Sequence, residues 1–100
     1  MRAVHRRELA EKANRPADQD TPLAKLVREA LADKELQLHA ALRTRLEKSE
    51  YTAQVIPKPE SARFQFEVRD QAGGLVAWAD SDGPENAIEY ALLGAMREGK

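Results

Sequence analysis

Few residues in this sequence have the chemistry and spacing of a catalytic or metal site. There are no cysteines, which excludes disulfides, thiolate nucleophiles and thiolate metal ligands. Neither histidine, His5 or His39, has a second histidine at the spacing of a metal-binding motif. The three serines, Ser49, Ser61 and Ser81, lie in no nucleophile-elbow pattern. We therefore predict that the protein is not an enzyme and that it binds neither a metal nor a cofactor.

Four carboxylates lie close together in the sequence at the start of the last predicted helix, at Asp80, Asp82, Glu85 and Glu89. Their spacing matches no calcium-binding loop. Aspartates that precede a helix are ordinary capping residues, and acidic residues in the first turn complement the helix dipole. We interpret the group as capping and helix-face charge. A cation site and a patch that contacts a basic protein are the alternatives.

The position of Trp78, the single tryptophan, depends on the register of one predicted hairpin. An even number of loop residues pairs Trp78 with Glu67 on the outer face of the sheet, and an odd number pairs it with Phe66 in the core. Tyr90 is expected to be exposed on the last helix. Tryptophan and tyrosine are enriched at binding hot spots. The predicted partner-binding residues are Trp78, Tyr90, Asp82 and Glu85.

Positive charge is concentrated in the first half of the chain. Residues 1–48 contain 11 Lys and Arg against 8 Asp and Glu, whereas residues 49–100 contain 5 against 9. Ordinary scatter explains such a difference, and a basic segment that contacts nucleic acid is the alternative. The candidate nucleic-acid-binding residues are Arg6, Arg7, Arg43, Arg45 and Lys48.

The helical half is predicted from caps and apolar spacing. We expect residues 1–20 to form an N-terminal helix and a linker, and residues 21–100 to form a single domain. Thr21 and Pro22 have the residue types of a helix cap and a first helical position. A break at Asp33, with a second helix over 34–48, fits a small domain better than one helix of about 40 Å.

Leucines in that second helical segment fall on two sides of it. They are Leu36, Leu38, Leu42 and Leu46. Apolar side chains on two sides of a helix can form a dimer seam, so a homodimer is one expected state and a self-associating structural protein one candidate function.

Alternation of apolar and polar residues predicts strands after residue 50. A strand over 51–56 is expected to end at Pro57, and 63–69 and 75–79 are expected to form a hairpin. A final helix begins near Pro84 and stops at Gly99. Helices followed by three antiparallel strands and a helix indicate an α+β fold with the last helix packed on the sheet.

Residues 36–97 resemble the double-stranded RNA-binding domain family. The resemblance rests on the strand Phe64-Gln-Phe-Glu-Val and on the small-residue pattern Ala87-x3-Ala91-Leu92-x2-Ala95-Met96. It implies the element order helix, three strands, helix. The family's two RNA-contacting lysines correspond to Pro84 and Glu85 here, so RNA binding in the family's manner is disfavoured. The hairpin and alanine-rich helix also look like bacterial antitoxin domains related to HicB.

These patterns favour a small regulatory or inhibitory module that binds a larger protein or a ribonucleoprotein assembly. A nucleic-acid-binding protein that uses the basic helices is the alternative. No apolar run approaches the roughly 18 residues of a membrane helix, and no apolar segment follows the N-terminal charges. A cytoplasmic protein without a membrane contact is therefore expected.

Overall fold

The computed structural model describes residues 3–100, with side chains from residue 6 onward. This part of the chain folds into helices and one antiparallel sheet, which confirms the predicted α+β class with the last helix on the sheet. In chain order the elements are α1 (Ala3–Ala13), a short 3-10 helix (Ala17–Gln19), α2 (Pro22–Ala32), α3 (Leu38–Lys48), β1 (Thr52–Lys58), β2 (Arg63–Arg69), β3 (Leu75–Ser81) and α4 (Pro84–Arg97).

The break between α2 and α3 occurs at the predicted position. Thr21 caps α2, since its Oγ1 accepts a hydrogen bond from the Ala24 N–H at 3.1 Å. Asp33 ends the helix, and its carboxylate accepts the N–H groups of Glu35 and Leu36 at 2.8 and 3.0 Å. The expectation that the second helix starts at 34 is wrong. Because Asp33 binds the backbone of the next residues in a turn, the helix begins only at Leu38.

The sheet has the order β1-β2-β3. Strand β1 continues through Pro57 to Lys58, so the expectation that Pro57 ends the strand is wrong. A proline is tolerated there because β1 is an edge strand, whose open side needs no donor. Pro57 is paired with Phe64 of β2, and the ladder extends to Lys58 and Arg63.

All the helices pack on one face of the sheet or on each other. Helix α4 lies on β2 and β3, α3 contacts β1 and α4, and α1 contacts α2 and α4. Phe66 and Val68 bring the inner face of β2 into the core, and Leu9 of α1 is completely buried in the same cluster. The opposite face of the sheet has no helix upon it among residues 3–100.

The leucine seam that the sequence suggested on α3 is absent. Leu38, Leu42 and Leu46 are buried in the core, because α3 packs against α2, α4 and β1 together. Leu36 is exposed, but it lies in the loop before α3. These residues therefore offer no apolar stripe to a second copy.

Within residues 3–100, the helices are too short or too polar to cross a lipid bilayer.

Candidate partner-binding surface

The outer face of the sheet, opposite the helices, is the candidate partner-binding surface. In its central row Gln54 of β1, Glu67 of β2 and Trp78 of β3 lie side by side. The Trp78 side chain is 56% exposed, the largest exposure of any large apolar residue in the described part of the chain. Leu75, at the start of the same strand, is also exposed. The register that pairs Trp78 with Glu67 is therefore the correct one of the two predicted alternatives.

A β-bulge at Val76 decides this register. The loop between β2 and β3 has five residues, from Asp70 to Gly74, and it pairs Arg69 with Leu75. Continued without interruption, that pairing would place Trp78 opposite Phe66 in the core. Because Val76 is an extra residue, Val68 is paired with Ala77 instead. The bulge thus exchanges the two faces of β3 and turns the indole outward.

The loop itself is held by the Asp70 carboxylate and by one glycine with a positive φ. Asp70 Oδ1 accepts the Gly74 N–H at 2.8 Å, and the Asp70 carbonyl accepts the Gly73 N–H at 3.0 Å. Gly73 has φ +86°, a conformation that L-residues with a side chain rarely adopt. A Cβ on Gly74 would lie only 3.1 Å from the Asp70 carboxylate. The five-residue loop is therefore specified by local chemistry.

Polar side chains beside Trp78 are held by bonds to one another. The Glu67 carboxylate, directly opposite, accepts a hydrogen bond from Gln65 Nε2 at 2.8 Å and lies 3.6 Å from the Arg69 guanidinium. An exposed aromatic ring next to ordered polar groups has the arrangement of an interface anchor with a polar rim.

Farther along β3, Asp80 forms ion pairs with two basic side chains. Arg63 Nε lies 2.8 Å and Lys58 Nζ 3.1 Å from its carboxylate oxygens. The hydrogen bond from Arg63, followed by that from Lys58, holds the pKa of the Asp80 carboxyl below its usual value. With two positive charges and one negative, this Asp80 cluster (Lys58, Arg63 and Asp80) has a net charge of +1. Asp80 is thus an ion-pair centre of the sheet, and the capping role expected for it is wrong.

The other predicted partner-binding residues lie away from this face. Tyr90 is 39% exposed, as predicted, but it belongs to α4, which covers the inner face of the sheet. Asp82 and Glu85 are exposed at the turn before α4 and in its first helical turn. Asp82 and Glu85 therefore lie at the start of α4, and the sheet separates Trp78 from Tyr90.

Glu89 differs from the expectation of a solvated helix-face charge. Only 6% of the residue is exposed, and its Oε2 atom has no hydrogen-bond partner within the described part of the chain. Burial raises the pKa of the Glu89 carboxyl, and the negative charge of Glu85 acts in the same direction, whereas Arg6 opposes the shift. No pattern in the sequence indicated this burial, because it depends on the packing of other helices against α4.

The candidate nucleic-acid-binding residues lie on two separate helices. Arg6 and Arg7 are exposed on α1. On α3, Arg43 lies 3.5 Å from Glu47, and Arg45 lies 3.4 Å from Glu29 and 3.6 Å from Asp33. The charges of Arg43 and Arg45 are therefore partly compensated, which weakens their attraction for phosphates.

The structure also has a basic cleft of about 300 Å³ between α2 and α3, which no sequence pattern indicated. Arg45 and Lys48 of α3 line it together with Lys25 of α2, and Glu29 supplies the single carboxylate among the lining residues. The positions of Lys25 and Arg45 in the sequence do not indicate that they line one cleft, because the packing of α2 against α3 brings these two residues together.

Among residues with described side chains, His, Cys, Asp and Glu form no group of three or more that could hold a metal ion. His39 lies on α3, and the side chain of His5 is outside the described residues. In comparisons with known proteins, no family model, no curated protein and no solved structure matches this chain. The resemblance to double-stranded RNA-binding domains therefore stays an expectation.

Proposed function

We propose that this protein is a protein-binding module of the regulatory or inhibitory kind, which contacts a larger protein or ribonucleoprotein assembly through the outer face of its sheet. The observation that carries the proposal is the exposed Trp78 at the centre of β3. A buried indole at an interface contributes a large apolar area, and tryptophan is among the residues that dominate binding energy.

The rigidity of the surface supports the same function. Trp78 lies on a strand that is hydrogen-bonded to β2 and packed against α4, so few backbone motions are lost when a partner binds. The neighbouring Glu67 is already held by Gln65 and Arg69. A surface of this kind incurs a smaller ordering cost than a flexible loop would.

The test uses the full chain, immobilised and incubated with an extract of the native cells. Proteins retained by the wild type are expected to be lost with Trp78→Ala and kept with Leu36→Ala, a control at an exposed apolar residue in the loop before α3, outside the sheet. Variants Asp82→Ala, Glu85→Ala and Tyr90→Ala show whether the contact extends to α4. Retention by Trp78→Ala at the wild-type level would contradict the proposal.

Fluorescence gives a second readout, since Trp78 is the single tryptophan. Addition of a purified retained protein is expected to shift its emission to shorter wavelength, because the indole moves from water into an interface. An unchanged spectrum at saturating partner would place the contact elsewhere on the chain.

The nucleic-acid alternative has one specific observation in its favour, the cleft lined by Lys25, Arg45 and Lys48. Phosphate contacts there would produce a steep salt dependence of binding. A gel shift at low salt that is abolished in Lys25→Gln and Lys48→Gln, and retained in the exposed loop variant Lys34→Gln, would favour this function. Absence of any shift with RNA or DNA would reject it.

A further inference from the structure

The two edges of the sheet are protected to different degrees. Strand β1 contains Pro57, which supplies no N–H, and it ends in Lys58 followed by Pro59; both residue types block the addition of another strand. Strand β3 has no proline and no lysine. Within residues 3–100 its only strand neighbour is β2, so one side of its backbone has no strand partner. Beyond the bulge at Val76, its ladder is regular from Ala77 to Ser81.

Side chains in this regular segment leave room for a neighbour. Ala77, Ala79 and Ser81 face the helices and are small, whereas Trp78 and Asp80 face outward. Lys58 of β1 and Arg63 of β2 compensate the charge of Asp80, so an uncharged side chain such as an indole can lie beside its carboxylate.

This segment is complementary to itself in one arrangement. If two copies pair antiparallel about Ala79, Trp78 of each copy lies opposite Asp80 of the other, so that an uncharged indole faces a carboxylate whose charge Lys58 and Arg63 already compensate. Ala77 then faces Ser81, and no like charges are directly opposite. A parallel pairing in register would instead place Asp80 against Asp80, which is destabilising.

Helix α4 does not obstruct this arrangement. It lies over β2 and β3, and its most exposed side carries Asn86, Tyr90 and Gly94. A Cβ placed on Gly94 would meet nothing within 4 Å, so the space beside this part of the helix is open. Of the helices in residues 3–100, α4 is the one that packs on β3, whereas α3 packs on β1.

We propose that the protein forms a symmetric dimer in which β3 pairs antiparallel with β3 of a second copy about Ala79. The result is a continuous sheet of six strands with all helices on one face. Both Trp78 side chains then lie near the two-fold axis on the other face. A closed two-fold interface of this type uses the same residues on each copy.

Sedimentation velocity of the purified full chain over a range of concentrations tests the proposal. The wild type is expected to show a monomer–dimer equilibrium. Trp78→Asp places a carboxylate directly opposite Asp80 of the other copy and should raise the dimer dissociation constant at least tenfold, because like charges in paired positions are destabilising. Leu36→Asp, at an exposed apolar residue outside the sheet, should leave that constant unchanged. A wild type that is monomeric at all concentrations overturns the proposal, as does an unaffected Trp78→Asp dimer.

An independent measurement needs no variant and therefore does not depend on how a variant folds. Isotope-filtered NMR on a mixture of labelled and unlabelled wild-type chains should show contacts between Ala79 of one copy and Ala79 of the other, and between Ala77 and Ser81. Intermolecular contacts confined to the helices would overturn the proposal. Both measurements use the purified chain alone, so their failure is distinct from a failure to retain another protein through Trp78.

Discussion

Trp78 lies directly opposite Glu67 on the outer face of the sheet, and the extra residue at Val76 is what places it there. Phe66, which precedes Glu67 in β2, lies on the inner face of the sheet and has no exposed surface. Two aromatic residues in adjacent strands thus have opposite roles, one in the core and one at the surface.

This difference predicts opposite responses to truncation. Phe66→Ala removes a fully buried ring and leaves a cavity, so the free energy of unfolding should fall by about 3–5 kcal/mol. Trp78→Ala should change it by less than about 1 kcal/mol, because the indole is 56% exposed. Urea unfolding measures both changes in the free energy of unfolding. It is followed by far-UV circular dichroism, because Trp78→Ala has no tryptophan whose fluorescence could report on unfolding. A large loss for Trp78→Ala would show that the ring supports the core.

Gly94 should be replaceable with a gain in stability. It lies inside α4, where glycine is less favourable than alanine, and a Cβ there meets nothing within 4 Å. Gly94→Ala is expected to raise the free energy of unfolding by about 0.5–1 kcal/mol. Gly73→Ala is the matched control. Its Cβ also has open space, but φ is +86°, so this variant should lose about 1–2 kcal/mol. Equal effects in thermal denaturation would contradict the assignment.

The Asp80 cluster should make the fold sensitive to acid. The pKa of Asp80 is lowered in the folded state, so its stabilising contribution is present above the unfolded pKa of about 3.9 and is lost as the pH falls through the folded pKa. Wild-type stability should therefore fall more between neutral pH and pH of about 2 than that of Asp80→Asn. Glu60→Gln, in the exposed loop after β1, serves as the control and should follow the wild type.

Glu89 predicts a dependence of the opposite sign. Burial raises the pKa of Glu89 in the folded state, which binds the proton more tightly than the unfolded chain does. Its contribution is therefore most favourable at low pH and declines as the pH rises from the unfolded to the folded pKa. At neutral pH, Glu89→Gln should be more stable than the wild type in urea unfolding, and the difference should shrink near pH of about 4. A less stable Glu89→Gln at neutral pH would contradict this expectation.

The helix limits were largely predictable from local signals. Thr21 and Pro22 mark the start of α2, and Pro84 and Gly99 bracket α4, because caps and fixed dihedral angles act within one or two residues. The start of α3 was missed by four residues. An aspartate that binds the following N–H groups can either begin a helix or hold a turn, and the sequence does not distinguish the two.

The site was less predictable than the fold, because it depends on pairing between distant segments. The sequence offered two registers for Trp78 and no sign of the bulge at Val76, which decides between them. The burial of Glu89 and the meeting of Lys25 with Arg45 likewise follow from the packing of helices. Composition and spacing could identify Trp78 as informative, but not its side of the sheet.

Pro57 has a consequence for how far assembly can proceed. A sheet that offers two open edges can grow without limit, since each added chain exposes a new edge for the next. Here the outer strand β1 lacks a backbone donor at Pro57 and ends at Lys58, which Pro59 follows. Pairing through β3 would leave only these β1 edges at the ends of the extended sheet. In the proposed dimer, growth of the sheet would therefore stop at two chains.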